Sequence, residues 1–346
     1  MCPFWQLDTG NFFTDNYYIM SSFDQIVELI ADDLSAIEVK LTEHTASEYS
    51  FVDMAVQHVV EGGGKRLRPI LVVLSAKVCG YEGNDAHTLA AVVELIHVAS
   101  LVHDDVLDEA AIRRGRETLQ TKWGNKVAVL VGDYLHARVL SMLVSRRADD
   151  PAMAILADTT QAMCEGEVIH AYKSGDFDIS EAEYLKIISF KTGKLIAASC
   201  TLGAHLRNPT DTQQVEALTI YGQHIGTAFQ IVDDVLDFTE DADKLGKNTF
   251  GDLREGKLTF PIIYARTVCD DDEKQMLEKV LNPNTDEAEA IAFVEALFQR
   301  YGVETHCLKV AQDYADRAKA ALTDLPETPA RVALEQLADY VVSRES

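Results

Sequence analysis

Apolar residues recur at three- and four-residue spacing along most of the chain, which is the pattern of amphipathic and buried helices. The pattern is clearest over five segments: Thr88–Asp108, Lys126–Arg146, Ala152–Tyr172, Ala182–Leu206 and Thr212–Thr239. No run of alternating apolar and polar residues lies between turn dipeptides, as it would for strands. The sequence therefore predicts an all-α protein.

The helical pattern is broken at a few sites rich in glycine, proline or asparagine, such as Gly62–Gly64 and Asn208-Pro209. None of these breaks is long enough, or rich enough in Gly, Ser and Pro, to indicate a linker between domains. Residues 1–19 are aromatic-rich and carry no Lys or Arg, so they lack the basic start of a signal peptide. We expect them to form a poorly packed arm or to result from an upstream start codon. Residues 20–346 are expected to form one domain.

Composition narrows the possible functions. Of the 346 residues, 47% are hydrophobic and 25% are charged, a balance typical of globular proteins. The formal net charge of −25 disfavours non-specific binding to nucleic-acid phosphates. No run of eighteen apolar residues lacks a charge, so we predict no membrane span. The six cysteines are scattered without a CxxC pair, which favours a reducing, cytoplasmic location.

The pentapeptide DDVLD occurs twice, at Asp104–Asp108 (the first motif) and at Asp233–Asp237 (the second motif), each time at the end of an apolar helical segment. Positions four residues apart share a helix face, so Asp104 and Asp108 project side by side. Either copy alone could be a solvated helix end. However, the C-terminal end of a helix disfavours carboxylates, and carboxylate oxygens suit Mg²⁺. Two copies in that position predict two facing metal sites.

Two short basic clusters stand out in this acidic chain: GGGKRLRP at Gly62–Pro69 and RRGR at Arg113–Arg116. Glycines permit close backbone approach, and Lys65 and Arg68 could bind a diphosphate. The second cluster begins five residues after Asp108, so a loop could turn it back toward the metal. The alternative for each cluster is a set of surface charges that balance acidic neighbours.

Taken together, the motifs resemble those of the trans-isoprenyl diphosphate synthases, the polyprenyl synthetase family. The resemblance runs from Phe23 to the C-terminus and is densest over Gly62–Pro261. It rests on GGGKRLRP, ELIHVASLVHDDVLDEAAIRRG, GDYL, EGE, KTG, FQIVDDVLD and GKNTFGDLREGK, in the family's order. It implies a single-domain helical bundle around a deep central cavity, usually a homodimer. It also implies that an allylic diphosphate is joined head to tail to isopentenyl diphosphate.

The resemblance also implies roles for individual residues. Three Mg²⁺ ions per active site, for which Mn²⁺ can substitute, are implied at Asp104, Asp108 and Asp233. The coordination would be completed, partly through water, by Asp105, Asp234 and Asp237. The allylic diphosphate site is implied at Arg113, Lys191, Thr192, Gln230, Lys247 and Lys257, with the oxygens of Thr192 and Gln230 facing the carbocation. The isopentenyl diphosphate site is implied at Lys65, Arg68, His97 and Arg114.

Product length in this family depends on residues just before the first motif, where bulky aromatic side chains stop chain growth. This chain has small residues four and five positions upstream, and aliphatic ones deeper: Ser100, Ala99, Ile96, Leu95 and Val92. Ser100 lies closer than Ala99 to the aspartate stripe of the helix. We therefore expect a medium- or long-chain all-trans polyprenyl diphosphate with more than twenty carbons.

Besides a terpene cyclase and a non-catalytic partner subunit of a heteromeric synthase, two alternative functions remain open at this stage. One is a short-chain synthase of the same fold, such as a farnesyl or geranylgeranyl diphosphate synthase. The other is a di-iron carboxylate bundle, because the chain contains two ExxH sequences, at Glu94–His97 and Glu167–His170, with Glu165 as a further candidate ligand. The di-iron hypothesis leaves both DDVLD motifs and the basic residues unexplained.

Overall fold

The computed structural model describes residues 22–146, 150–207, 212–239, 250–254, 256–281 and 285–344. The expected arm at residues 1–19 and the candidate Lys247 lie outside the described residues. The helices are α1 (Ser22–Leu29), α2 (Ala31–Thr45), α3 (Ser50–Val60), α4 (Leu67–Val78), α5 (Asp85–Leu107), α6 (Leu119–Trp123), α7 (Asn125–Val144), α8 (Ala152–Lys173), α9 (Glu181–Ile188), α10 (Lys194–His205), α11 (Thr212–Thr239), α12 (Gly251–Arg254), α13 (Phe260–Val268), α14 (Asp271–Val280), α15 (Glu287–Tyr301), α16 (Val303–Ala321) and α17 (Pro329–Ser343).

The long helix α11 is central to the packing. It lies against α10 and α16, while α10 packs on α4, and α5 packs on both α4 and α7. One cluster of buried apolar side chains joins α2, α4, α5 and α10 to the first half of α11. A second cluster joins the other half of α11 to α13, α15 and α16. The all-α prediction is confirmed, and the helix predicted over Thr212–Thr239 matches α11 at both ends.

One short hairpin departs from the predicted all-helical pattern. Strand β1 (Ile112–Arg113) pairs antiparallel with β2 (Arg116–Glu117), where the sequence predicted only a loop. The two residues between the strands, Arg114 and Gly115, have φ values of 51° and 71°. Positive φ at both central positions characterises the tight turn that matches the twist of a hairpin. This hairpin folds the RRGR cluster back beside the end of α5.

The helix predicted over Ala182–Leu206 is instead two helices, α9 and α10, joined by a π-helical turn at Ser189–Gly193. Hydrophobic spacing cannot reveal one wider turn, because the apolar pattern resumes after it. The distortion lies where α11 comes very close: a Cβ added at Gly226 would lie 2.7 Å from the Cα of Gly193. Wide turns of this kind are frequent at functional sites.

Two of the described helices, α5 and α7, are long and apolar enough to cross a membrane. Helix α5 is largely buried among α2, α4 and α7, as a core helix of a soluble protein would be. Helix α7 is buried along a narrower face and leaves several apolar side chains exposed.

Candidate active site

The first motif lies at the C-terminal end of α5. The backbone N–H of Asp108 donates to the Asp104 carbonyl oxygen at 2.8 Å, which closes the last turn of the helix. Asp104 and Asp108 are half-buried on one face, whereas Asp105 points inward and accepts a hydrogen bond from Arg113 Nε. Burial raises the pKa of Asp104 to about 6, and the nearby negative charges of Glu167 and Asp108 add to this effect. The crowded carboxylates therefore favour a cation.

In the second motif, the three aspartates have different surroundings. Asp233 has an exposed side chain, while Asp234 is buried and accepts hydrogen bonds from three groups: the Tyr184 hydroxyl, Gln230 Nε2 at 3.0 Å and the Phe260 backbone N–H at 3.3 Å. Burial raises the pKa of Asp234 to about 7, although its donors favour the carboxylate. Of this motif, Asp233 therefore presents the most accessible carboxylate.

The carboxylate of Asp237 is held by the chain that follows α11. It accepts the backbone N–H groups of Gly251 at 3.2 Å and Asp252 at 3.0 Å. Burial raises its pKa, against the effect of these two donors. Asp237 thus fixes the start of α12 against the end of α11.

A single lysine links the two motifs. Lys257 Nζ lies 2.9 Å from Asp108 Oδ1 of the first motif, and the Lys257 backbone N–H donates to the Asp252 carbonyl oxygen at 2.8 Å. Because Asp252 in turn donates to Asp237, one short segment contacts the last aspartate of both motifs. The two DDVLD sequences, 129 residues apart in the chain, therefore border the same site.

The π-helical turn brings two further predicted residues into this site. Lys191 Nζ contacts the Glu167 carboxylate at 2.9 Å, and Thr192 Oγ1 donates to Gln230 Oε1 at 2.8 Å. Burial opposes ionisation of Glu167, but its contacts with His170 and Lys191 outweigh that effect and lower its pKa to about 2. The close approach of Gly193 and Gly226 allows Thr192 to reach across to Gln230, one turn further along α11.

Three of the predicted isopentenyl diphosphate residues, Arg68, His97 and Arg114, lie close enough to influence one another electrostatically. Arg114 donates to the Gly63 carbonyl oxygen, and a Cβ on Gly64 would collide with its guanidinium. Burial lowers the pKa of Arg68 to about 10, with Arg114 adding to the effect and Glu94 and Asp233 opposing it. Burial and these arginines also hold the pKa of His97 well below 6.5. Lys65 Nζ lies 5.3 Å from the centre of the Tyr340 ring.

The residues predicted to limit product length occupy two environments. Four belong to the main buried cluster: Val92, Leu95, Ile96 and Ala99. Ser100 is half-buried, and its hydroxyl donates to the His97 carbonyl oxygen at 2.9 Å. It is the member of this set that lies on the same face as Asp104, and its role stays a prediction.

Three residues of the site were not assigned by sequence reasoning. Tyr184 donates to Asp234, Glu167 pairs with Lys191, and Arg344 near the C-terminus donates to Asp233 at 3.2 Å. Glu167 belongs to the EGE sequence that contributed to the resemblance, so a signal existed for it. Tyr184 and Arg344 carry no local motif. Only the packing of α9 and α17 against α11 brings them to the second motif.

The di-iron hypothesis is wrong. Glu94 lies 2.9 Å from Arg66 and Glu167 lies 2.9 Å from Lys191, so the carboxylates of both ExxH sequences are paired with basic side chains. Within the described ranges, no group of three or more His, Cys, Asp or Glu side chains is arranged to enclose a metal ion. That result is compatible with Mg²⁺ at the aspartate motifs, because Mg²⁺ is typically held by one or two carboxylates together with water and substrate phosphates.

Comparison with known proteins agrees with this geometry. Residues 50–297 match the family model of polyprenyl synthetases. The chain is 36% identical to the octaprenyl diphosphate synthase of Escherichia coli K12 over 94% of its own length and 99% of the relative's. It is 38% identical to heptaprenyl diphosphate synthase component 2 of Geobacillus stearothermophilus, covering 91% and 97% of the two chains. It superimposes with a TM-score of 0.89 on a crystal structure of a polyprenyl synthase from Caulobacter crescentus CB15 in complex with calcium and isoprenyl diphosphate, at 38% identity and over 94% and 99% of the two chains.

The all-α bundle, with two aspartate motifs that border one site, places the molecule among the isoprenoid synthase folds. The chain belongs to the polyprenyl synthetase family.

Proposed function

We propose that this protein is a trans-polyprenyl diphosphate synthase that joins an allylic diphosphate to isopentenyl diphosphate, head to tail. The observation that carries the proposal is that the two aspartate motifs border one site, with Arg68 and Arg114 close enough to interact electrostatically there and Arg68 interacting with Asp233. An acidic protein can bind two diphosphates only where cations and basic side chains offset its own charge. Basic side chains lie near Asp233, and the aspartates carry the carboxylate oxygens that suit Mg²⁺.

The residues present fit Mg²⁺. Asp104 and Asp108 lie on one helix face, burial and like charges raise the pKa of Asp104 to about 6, and the Asp233 carboxylate is accessible. We assign the cation ligands to these three aspartates. When bound, Mg²⁺ would neutralise the charge that develops on the departing diphosphate.

The chain's own residues supply the rest of the chemistry. We assign the allylic diphosphate site to Lys191 and Lys257, which lie beside the first motif. Thr192 and Gln230 direct oxygen atoms toward the carbon that becomes positive when its bond to the diphosphate breaks. Lys65, Arg68 and Arg114 bind the diphosphate group of isopentenyl diphosphate. The double bond of the same molecule then attacks that carbon. The proton lost from the adduct passes to the departed diphosphate, so no side-chain nucleophile is required.

We propose a medium- or long-chain product. In short-chain enzymes, bulky aromatic residues four and five positions before the first motif block the growing chain. This protein has the small residues Ser100 and Ala99 at those positions. The octaprenyl and heptaprenyl names of two relatives that match nearly the whole chain support this choice.

The test is an incubation of the purified protein with Mg²⁺, a short allylic diphosphate and radiolabelled isopentenyl diphosphate, followed by chromatography of the dephosphorylated products. We expect all-trans products of more than twenty carbons, formed only when both substrates are present. A fifteen- or twenty-carbon end product would contradict the chain-length proposal alone. Release of diphosphate from the allylic substrate without isopentenyl diphosphate would instead favour a cyclase.

We further propose that the enzyme acts in the cytoplasm as a homodimer joined through α7 and α8. These helices contact each other and carry an unusual number of exposed apolar side chains: Val129, Leu130, Leu140, Val144, Val168, Ile169 and Tyr172. Val144 is 73% exposed and Tyr172 is 84% exposed. Exposed apolar side chains gathered on two neighbouring helices favour an interface between proteins, and we call these seven residues the apolar surface.

The dimer proposal can be tested by light scattering after size-exclusion chromatography. We expect Val144→Glu together with Leu140→Glu to convert a dimer into a monomer. Val39→Glu is the matched control, because Val39 is 55% exposed on α2, outside this surface. A monomeric parent protein, or a double variant that remains dimeric, would contradict the proposal.

A further inference from the structure

Arg344 is a buried arginine at the C-terminal end of α17 that has contacts within the candidate active site. Its side chain is only 7% exposed, and its Nη2 donates to Asp233 Oδ1 at 3.2 Å and to the Phe229 carbonyl oxygen at 3.0 Å. The guanidinium carbon lies 3.9 Å from the centre of the Phe229 ring. Its Nε is buried and, among the described residues, makes no hydrogen bond.

Arg344 contacts Asp233, the aspartate of the second motif whose side chain is mostly accessible. Asp234 is buried among three donors, and Asp237 is engaged by two backbone N–H groups. Asp233 is 55% exposed and has Arg344 as its ion-pair partner. A guanidinium therefore stands where a divalent cation would approach that carboxylate.

The end of α17 is attached to the site through a second contact. Tyr340, four residues before Arg344 and thus on the same helix face, lies beneath Lys65 and stacks on Phe23 of α1 with the ring centres 4.7 Å apart. If the Asp233 contact is lost, α17 keeps its packing on α1 and α4. Displacement of Arg344 would therefore affect the last residues of the helix and leave the helix itself in place.

We propose that Arg344 is a stand-in cation. Its guanidinium neutralises Asp233 until a divalent cation binds there, and cation binding releases the C-terminal end of α17. This inference rests on the proposed metal site at Asp233. It makes Arg344 a positioning residue that competes with the cation, and its effect on catalysis would be exerted through Asp233.

Competition between Arg344 and a divalent cation for Asp233 should change the affinity of the protein for that cation. A cation that must displace Arg344 binds more weakly than one that finds Asp233 unpaired, by the strength of the ion pair that is lost. Because Asp233 is more than half exposed, that pair falls in the weak class of surface ion pairs. We therefore expect Arg344→Ala to tighten cation binding at Asp233 by about two- to five-fold. Arg344→Lys keeps a positive charge and should give an affinity between those of the parent and the alanine variant.

The experiment is a titration of the full-length protein with Mn²⁺ alone, with free Mn²⁺ measured by electron paramagnetic resonance and no substrate present. Binding at Asp233 is defined by comparison with Asp233→Asn. The matched control is Arg300→Ala, which removes an arginine from an exposed pair with Glu273, between α15 and α14. We expect the control to bind Mn²⁺ as the parent does.

A second readout follows the C-terminus itself. Hydrogen exchange of the backbone amides over 340–344 should become faster when Mn²⁺ is added to the parent protein and should not respond in Asp233→Asn. If Asp233→Asn weakens Mn²⁺ binding but Arg344→Ala leaves it unchanged, the stand-in role is wrong and the metal site survives. If Asp233→Asn has no effect on Mn²⁺ binding, the proposed metal site fails, and the stand-in role fails with it.

Discussion

The hydroxyl of Tyr184 should contribute more to stability than the hydroxyls of two other tyrosines in this chain. Tyr184 and its acceptor Asp234 are each only 3% exposed, and the hydroxyl is the donor to Asp234 Oδ2. Tyr184→Phe keeps the ring and its packing, so it creates no sizeable cavity. Among the described residues, it leaves the Phe260 N–H at 3.3 Å as the remaining donor to Oδ2.

The magnitude follows from the kind of bond that is removed. A buried hydrogen bond to a charged group contributes about 1.5–3 kcal/mol to the free energy of unfolding, and one between neutral groups about 0.5–1.5 kcal/mol. Tyr221 is the neutral comparison, since its buried hydroxyl donates to the Leu334 carbonyl oxygen at 2.7 Å. Tyr301 donates to Glu273 at 2.6 Å in a half-buried pair, which water reaches more easily than it reaches the buried Asp234. The loss of stability should therefore rank Tyr184→Phe, Tyr221→Phe and then Tyr301→Phe.

The assay is urea denaturation of the three variants at about pH 8.5, where Asp234 with its pKa of about 7 is charged, followed by circular dichroism and compared at equal m-values. Removing the donor should also raise the pKa of Asp234, because a hydrogen bond to a carboxylate favours its charged form. Equal destabilisation by Tyr184→Phe and Tyr301→Phe would refute the argument that burial and charge make Asp234 the anchor of the second motif.

Three further predictions concern pH, product length and metal. Burial and Arg68 hold the pKa of His97 well below 6.5, so its imidazole NMR signals should not titrate between about pH 6 and 8. Below about pH 6.5 the unfolded chain binds a proton at this histidine that the native state does not, which lowers the free energy of unfolding. His97→Gln should therefore reduce the stability that is lost as the pH falls below about 6.5. Ser100→Phe should shorten the product seen by chromatography, and an unchanged distribution would remove Ser100 from the path of the growing chain. A chelator should abolish turnover without altering the helical circular dichroism, whereas loss of helix would make the metal structural.

The sequence was sufficient to predict the helices and the aspartate motifs for a clear physical reason. Helix α11 has apolar residues at helical spacing over its whole length, which made the helix itself predictable. The same acidic pentapeptide ends two such helices, where carboxylates are unfavourable for helix stability, so its repetition indicated a function. The hairpin at Arg113–Arg116 was missed because it depends on positive φ at Arg114, which costs little only within that turn.

The remaining parts of the site depend on packing between segments that are far apart in sequence. Tyr184 and Arg344 reach the second motif from α9 and α17, and nothing in their local sequence indicates an aspartate partner. The π-helical turn is equally hidden, because the approach of Gly226 to Gly193 is a contact between two helices. Sequence patterns predict which residues can bind cations and diphosphates. Which side chains contact those residues when no ligand is bound can be learned only from the folded structure.

We propose that both aspartate motifs hold divalent cations around one diphosphate. Anomalous diffraction from crystals grown with Mn²⁺ and an unreactive thio analogue of the allylic diphosphate would locate those cations. We expect anomalous peaks in contact with Asp104 and Asp108 on one side of the diphosphate and with Asp233 on the other. Peaks confined to one motif, or a diphosphate bound away from both, would contradict it.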